Sequence, residues 1–300
     1  MRLTMTSRNI LAVLIACSLL AAPSLTAPAL LAQAAPPTAA PSLPKAADQE
    51  LTAADVTLRY REVGSGDPVI LIHGYSASLE SMAGIAGALP QYRVIALDVR
   101  GFGRSSKFAE ASRFGQLMVD DVVRLMDHLK ITRAHLIGHS MGALIAANVA
   151  ARYPDRVSTA TLVAGPFYAD EATFTHETSR WTTDLEGGKG LTNFMQWLFP
   201  AFKPEMAAGF NAQVMKGNDL GSLTAVMRSL PKLAIAGIPK NGDKILLVAG
   251  TGDPLFPLSP AFAKQSPGAR FVEITGADHV AVILNPAAVT AIRELLAKSN

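Results

Sequence analysis

Short apolar runs recur along this chain, separated by longer stretches with helical patterning. "PVILIHG", "YRVIALDVRG", "AHLIGHS", "STATLVAG", "KILLVAGTGD" and "ARFVEITG" follow one another from residue 68 to 276. Several are continuous Val, Ile and Leu, so the strands they form must be covered on both faces. Parallel neighbours need a crossover of a dozen or more residues, whereas antiparallel neighbours can be joined by a tight turn. The alternation therefore argues for an α/β fold, a mainly parallel sheet with helices on both faces. "VTLRYREVG", which alternates and ends in a Gly-rich turn, suits an early antiparallel edge hairpin feeding the first buried strand.

The intervening stretches carry helical spacing. In "FGQLMVDDVVRLMDHLK", Met118, Val122, Leu125, Met126 and Leu129 fall on one face, with charges on the other. Asp120 and Asp121 on this helix read as solvated or helix-terminal charges. "PAAVTAIRELLAK" predicts a last helix with Pro286 in its first turn. Residues 166–240 break the rhythm: no clear strand, but apolar clusters such as "LTNFMQWLF". A structureless loop of that length is improbable, so a small helical insertion is expected there.

One turn carries the chemistry. Gly138, His139, Ser140, Met141 and Gly142 form G-x-S-x-G between the strand "AHLI" and the helix-like "ALIAANVAARY". Glycines at those two positions let a strand reverse sharply into a helix with a strained serine at the tip. A serine hydroxyl is a poor nucleophile alone; it needs a histidine to take its proton, an acid to orient the histidine, and amides to hold the oxyanion. Asp253 follows "KILLVAG" and His279 follows "ARFVEI", both at the sheet edge where sites in open α/β folds lie.

With "LIHGY", "LDVRGFGRS", "YPDRV", "GTGDPLFP" and "GADHV" beside this turn, the chain from about residue 53 onward resembles the α/β-hydrolase family. That resemblance implies an eight-stranded-type, mostly parallel sheet with a small helical cap. The order Ser140, Asp253, His279 is the family's nucleophile, acid and base order. It also implies backbone amides of Tyr75 and Met141 as the oxyanion hole, with His73 and Gly74 supporting that loop and Gly138 and Gly142 supporting the turn. Asp170, after the preceding strand, is the alternative acid. His139 is expected to pack away from the site; His128 and His135 are structural or exposed, and His176 touches at most substrate. Asp98 and Arg100 read as loop-fixing residues and Asp278 as exposed.

The resemblance implies no cofactor, and no metal site is expected. Serine at the turn points to acyl transfer, whereas dehalogenases and most epoxide hydrolases of this fold place aspartate there. Carbon–carbon bond hydrolases of the fold usually carry a Gly-rich "HGxGPG" and a Trp after the histidine, where this chain has "HGYSAS" and "HVAV". Trp181, Phe194, Trp197, Phe202 and Phe210 make the insertion apolar and aromatic. A carboxylic ester of a small or medium apolar compound is the expected substrate. A cofactor-free perhydrolase or haloperoxidase chemistry, carbon–carbon hydrolysis, and a non-catalytic ligand-binding member remain as alternatives.

The N-terminal stretch has Arg2 and Arg8 ahead of the apolar run Ile10 to Ala22 and ends on Ala32, Gln33, Ala34, the layout of a secretory signal. The expected organisation is signal peptide 1–34, linker 35–50, hydrolase core 51–165 and 241–300, and cap 166–240. The product is then exported, periplasmic or secreted. Alternatively "LIAC" is a lipobox and Cys17, the chain's one cysteine, anchors the protein to a membrane. Loss of Arg2 and Arg8 would take the formal charge from +3 to +1. A chain so nearly neutral gives no reason to expect nucleic acid or, without lipidation at Cys17, a stable membrane partner.

Overall fold

The computed structural model describes residues 43–238 and 240–298. The signal segment and the lipobox cysteine lie outside the described residues. Eight strands form one sheet: β1 (Gln49–Thr52), β2 (Thr57–Val63), β3 (Pro68–Ile72), β4 (Arg93–Leu97), β5 (Ala134–His139), β6 (Val157–Val163), β7 (Ile245–Gly250) and β8 (Arg270–Ile274). Their order is β1-β2-β4-β3-β5-β6-β7-β8. The β1–β2 and β2–β4 pairs are antiparallel and the remaining pairs parallel.

The edge hairpin is β1–β2, and β2 pairs with β4 instead of β3. Val69, Ile70, Leu71 and Ile72 are fully buried, which places β3 in the sheet's interior between β4 and β5. Part of the stretch expected to be linker is folded onto the core: β1 begins at Gln49. Leu43 is buried, and Gln49 and Glu50 pair with Tyr60 and Arg59.

Nine α-helices are described: α1 (Ala83–Gly87), α2 (Gln116–His128), α3 (Met141–Arg152), α4 (Glu171–Glu186), α5 (Thr192–Leu198), α6 (Pro204–Gly217), α7 (Leu220–Ser229), α8 (Leu258–Lys264) and α9 (Pro286–Ala297). The sheet separates two apolar layers. Ile70, Leu136 and Leu247 pack with α2 and α3 on one face, while Leu71, Ile137 and Val248 pack with α1 and α9 on the other. Every residue of α3 from Met141 to Ala150 is buried. Its alanines allow close approach to β5 and β6, and each larger apolar side chain contributes about 1.5–3 kcal/mol by leaving water.

Residues 171–229 hold α4 to α7. Asp170 caps α4, its Oδ1 accepting from the Thr173 amide at 2.8 Å, and Asp219 caps α7 through the Ser222 amide at 2.7 Å. One charge on α2 is not solvated as its sequence pattern suggested. Asp121 is buried and accepts from Arg100 Nε and Nη2 at 2.6 and 2.7 Å. Arg100 is itself fully buried in the loop after β4, and a buried guanidinium demands a carboxylate facing it. Burial pushes the Asp121 carboxyl up, with Arg100 opposing that effect.

Strand order positions the site. From β3 the chain steps to β4 on one side and later to β5 on the other, so the carboxyl ends of β3 and β5 flank a crevice. The loop 73–75 and the 139–142 turn both open into it. The ends of β7 and β8 lie further along the same edge.

Candidate active site

Ser140 sits between the end of β5 and the start of α3 with φ 55° and ψ −120°. This backbone region is populated almost only by glycine, and holding a serine there costs on the order of 1–3 kcal/mol. The surroundings enforce it. The Ser140 amide donates to Val163 O at 2.8 Å, and the two glycines leave no room for relaxation. A Cβ on Gly138 would stand 2.1 Å from Gly142 O, and one on Gly142 would stand 2.1 Å from Ile72 O. Strand, helix and β3 therefore approach at backbone distance, and the turn lifts Ser140 into the crevice.

Asp253 and His279 meet beyond β7 and β8. His279 Nδ1 donates to Asp253 Oδ2 at 2.7 Å, and both residues are buried. Asp253 Oδ1 accepts the Leu255 amide at 2.9 Å, which fixes the carboxylate in its loop. With Nδ1 carrying the proton, Nε2 of His279 is the ring's free base. Among the described residues no hydrogen bond joins it to Ser140 Oγ, a contact that commonly tightens only when substrate is present. Asp170 is far from this role: it is fully exposed and occupied in capping α4.

The loop after β3 is set by His73. Val99 N donates to His73 Nε2 at 3.0 Å, so Nδ1 bears the proton and donates to Gly74 O at 2.7 Å. Burial holds His73 below its usual pKa, consistent with this neutral tautomer. In a trans peptide the carbonyl and the following N–H point in opposite directions. Drawing Gly74 O toward His73 therefore turns the Tyr75 N–H the other way, and among the described residues it has no acceptor. The Met141 amide is likewise free, as the first N–H of α3. Gly74 lies close under the serine: a Cβ there would stand 3.1 Å from Ser140 Cβ, a tight contact.

His139 departs from its expected place. Its ring does not pack away from the site: it lies 4.9 Å from the His279 ring, and Nε2 donates to His279 O at 2.7 Å. Alternation along β5 sets the face of residue 139, and the tertiary structure sets what that face meets. Residue 139 shares a face with Ile137, in the layer that also contains Val282 and Ile283 from the segment just after His279.

The other singled-out residues lie elsewhere. His135 is buried with Nδ1 2.8 Å from Thr159 Oγ1, His128 Nε2 is 3.4 Å from Tyr60 Oη, and His176 is exposed on α4. Asp98 accepts the Leu79 and Arg104 amides and Arg59 Nη1, bracing the loop after β4. Asp278 is exposed, its Oδ1 accepting the Val280 and Ala281 amides. Among the described residues no group of three or more His, Cys, Asp or Glu side chains is placed to hold a metal ion.

A narrow cavity of about 50 Å³ opens onto Ser140. Tyr75, Phe174, Trp181, Phe194, Trp197 and Leu255 give it an apolar, largely aromatic wall. Tyr75 connects the cavity to the helical insertion, its hydroxyl donating to Leu223 O in α7 at 2.8 Å. Burial pushes that phenol well above its ordinary pKa, so it remains a donor.

Residues 67–188 match the model of the α/β hydrolase fold. The chain is 39% identical over 121 residues to the dihydrolipoyllysine-residue acetyltransferase component of an acetoin cleaving system from Pseudomonas putida, covering 39% of this chain and 32% of that protein. It is 34% identical over 119 residues to a 2-hydroxymuconate semialdehyde hydrolase from Pseudomonas sp. strain CF600, covering 38% of this chain and 42% of that one. The match thus spans well under half the length of either relative. A thermophilic esterase from Thermogutta terrifontis superposes with a TM-score of 0.68 at 24% identity, over 85% of this chain and 99% of the esterase.

Proposed function

Because this chain has the α/β-hydrolase fold, we propose that it is a serine hydrolase cleaving carboxylic esters of small or medium apolar compounds. The observation that carries this reading is the joint arrangement at one sheet edge. A strained serine lies beside two unpaired amides, and a buried Asp253–His279 pair leaves Nε2 free. A site built only to bind an apolar ligand needs none of these.

In the proposed reaction Ser140 Oγ attacks the ester carbonyl carbon while His279 Nε2 takes the hydroxyl proton. The carbonyl oxygen becomes an oxyanion held by the Tyr75 and Met141 amides, each worth on the order of 3–4 kcal/mol at such a site. Collapse breaks the bond to the alcohol oxygen, which leaves with the proton from His279. Water, deprotonated by the same nitrogen, then attacks the acyl-enzyme; the acid departs and Ser140 recovers its proton. Asp253 remains ionised throughout, orienting His279 and stabilising its charged form. The size and aromatic lining of the cavity favour a short or flat acyl group over a long chain.

Hydrolysis of p-nitrophenyl acetate and butyrate, and labelling by a fluorophosphonate probe, test the proposal. Wild-type protein is expected to turn over and to form an adduct at Ser140. Ser140→Ala is expected to lose the adduct and about 10⁶-fold in kcat with its fold intact. Undiminished turnover in that variant would overturn the assignment of Ser140.

A further inference from the structure

Between the nucleophile and the base lies a side chain that the proposed reaction does not use. His139 ends β5, pairs in register with Val163, and sends its imidazole across the sheet edge. One ring nitrogen faces the oxyanion loop: a Cβ on Gly74 would stand 3.4 Å from His139 Nδ1. The other donates to the main-chain carbonyl of His279 at 2.7 Å, and the two imidazoles are tilted at 49° with centroids 4.9 Å apart. The ring thus fills the space from residue 74 to residue 279.

We propose that His139 is a positioning residue for the general base: its Nε2–H clamps the His279 carbonyl and so fixes where the His279 ring stands relative to Ser140. The proposal rests on Ser140 and His279 being nucleophile and base. Asp253 restrains the His279 ring at one nitrogen, Nδ1. A ring held at Nδ1 alone can still pivot with its loop, which continues into the exposed residues Val280 and Ala281. A second restraint on the main chain removes that freedom. Because Ser140 directly follows His139, the clamp ties the base to the same short stretch of backbone that carries the nucleophile.

The bond requires a proton on Nε2, because the carbonyl can only accept. The surroundings favour the neutral ring: burial first, then the neighbouring His279, push His139 down to about 4. His73 adds to that effect, while Asp253 and the bond to His279 O oppose it.

The test compares wild type with His139→Phe, His139→Asn and His139→Gln on p-nitrophenyl acetate, with thermal midpoints measured alongside. Phe keeps a ring without a donor. Asn keeps an amide that reaches only as far as Nδ1, and Gln places its amide nitrogen near the position of Nε2. The Phe and Asn variants are expected to lose about tenfold to a hundredfold in kcat with KM changed by less than about threefold, since misplacing a catalytic group by an ångström costs that much. Gln is expected to recover kcat to within about threefold of wild type, because it restores the hydrogen bond. Should the Phe variant fail to fold, the Asn and Gln pair, one methylene apart, carries the comparison. Wild-type kcat in Asn and Phe overturns the proposal, as does a Gln variant as slow as Asn at a wild-type thermal midpoint. Wild-type protein inert to both ester and fluorophosphonate overturns the hydrolase reading and this proposal together; a labelled, active wild type with equally active variants overturns this one alone.

Discussion

Asp253 and Asp170 show how far single residues can be assigned from their neighbours in the chain. Both are aspartates placed after a strand, and the sequence left Asp170 open as the acid. In the structure Asp253 Oδ2 lies 2.7 Å from His279 Nδ1, while Asp170 spends its carboxylate on the Thr173 amide and hydroxyl. Asp253→Asn is expected to keep the fold and lower kcat by about 10⁴-fold, because the amide would present a donor to Nδ1 and favour the wrong tautomer. Asp170→Ala is expected to leave kcat unchanged and lower the thermal midpoint slightly through loss of a helix cap. Steady-state kinetics on the two variants decide it, and a reversed pattern would move the acid to Asp170. His139 marks the limit at this scale. Its place beside Ser140 was plain in the sequence, but the direction of its ring depended on which loop β5 faces.

At the scale of elements, the strand–turn–helix unit from β5 to α3 is the most legible part of the molecule. Its glycines, apolar strand and alanine-rich helix all demand the same sharp turn, and the structure supplies the reason in the 2.1 Å approaches a Cβ would suffer at Gly138 and Gly142. The helical insertion is less legible. Its aromatic content pointed to an apolar wall but did not reveal how it is fastened. The Tyr75 hydroxyl on Leu223 O and Asn218 Nδ2 on Ser76 O, at 2.8 and 3.0 Å, tie the insertion to the loop after β3. Tyr75→Phe removes one tie and leaves the backbone amide in place. It is expected to lower kcat/KM by about threefold to tenfold, the worth of one hydrogen bond, and to speed proteolytic cutting within residues 166–240. Limited proteolysis read by mass spectrometry would contradict this tie if the variant were cut at the wild-type rate.

The whole molecule joins these elements through a buried framework that also sets its response to acid. His73, His135 and His139 all sit below their usual pKa of 6.5, in each case chiefly through burial. Each is neutral when folded, so below pH 6.5 the unfolded chain takes up protons that the native state refuses. Stability is therefore present in full above about pH 6.5 and falls as the pH drops toward 4, before the paired carboxylates Asp48 and Asp55, held below 3.8, begin to titrate in the native state. Thermal unfolding followed from pH 7.5 to 4.5 should show the midpoint falling throughout the lower part of that range, with a shallower fall in His139→Gln. A midpoint flat between pH 7 and 5 would contradict the buried, neutral histidines. Sequence periodicity and the punctuation of glycine and proline were enough to establish the mainly parallel α/β layering, the turn at Ser140 and the helix starting at Pro286, because these are properties of contiguous residues. Tertiary structure alone decided that β3 lies between β4 and β5, that Asp121 is buried against Arg100, and that His139 holds the carbonyl of His279. Each of those depends on which distant segment a side chain meets, and that is set by the strand order and the two faces of the sheet, which local pattern does not encode.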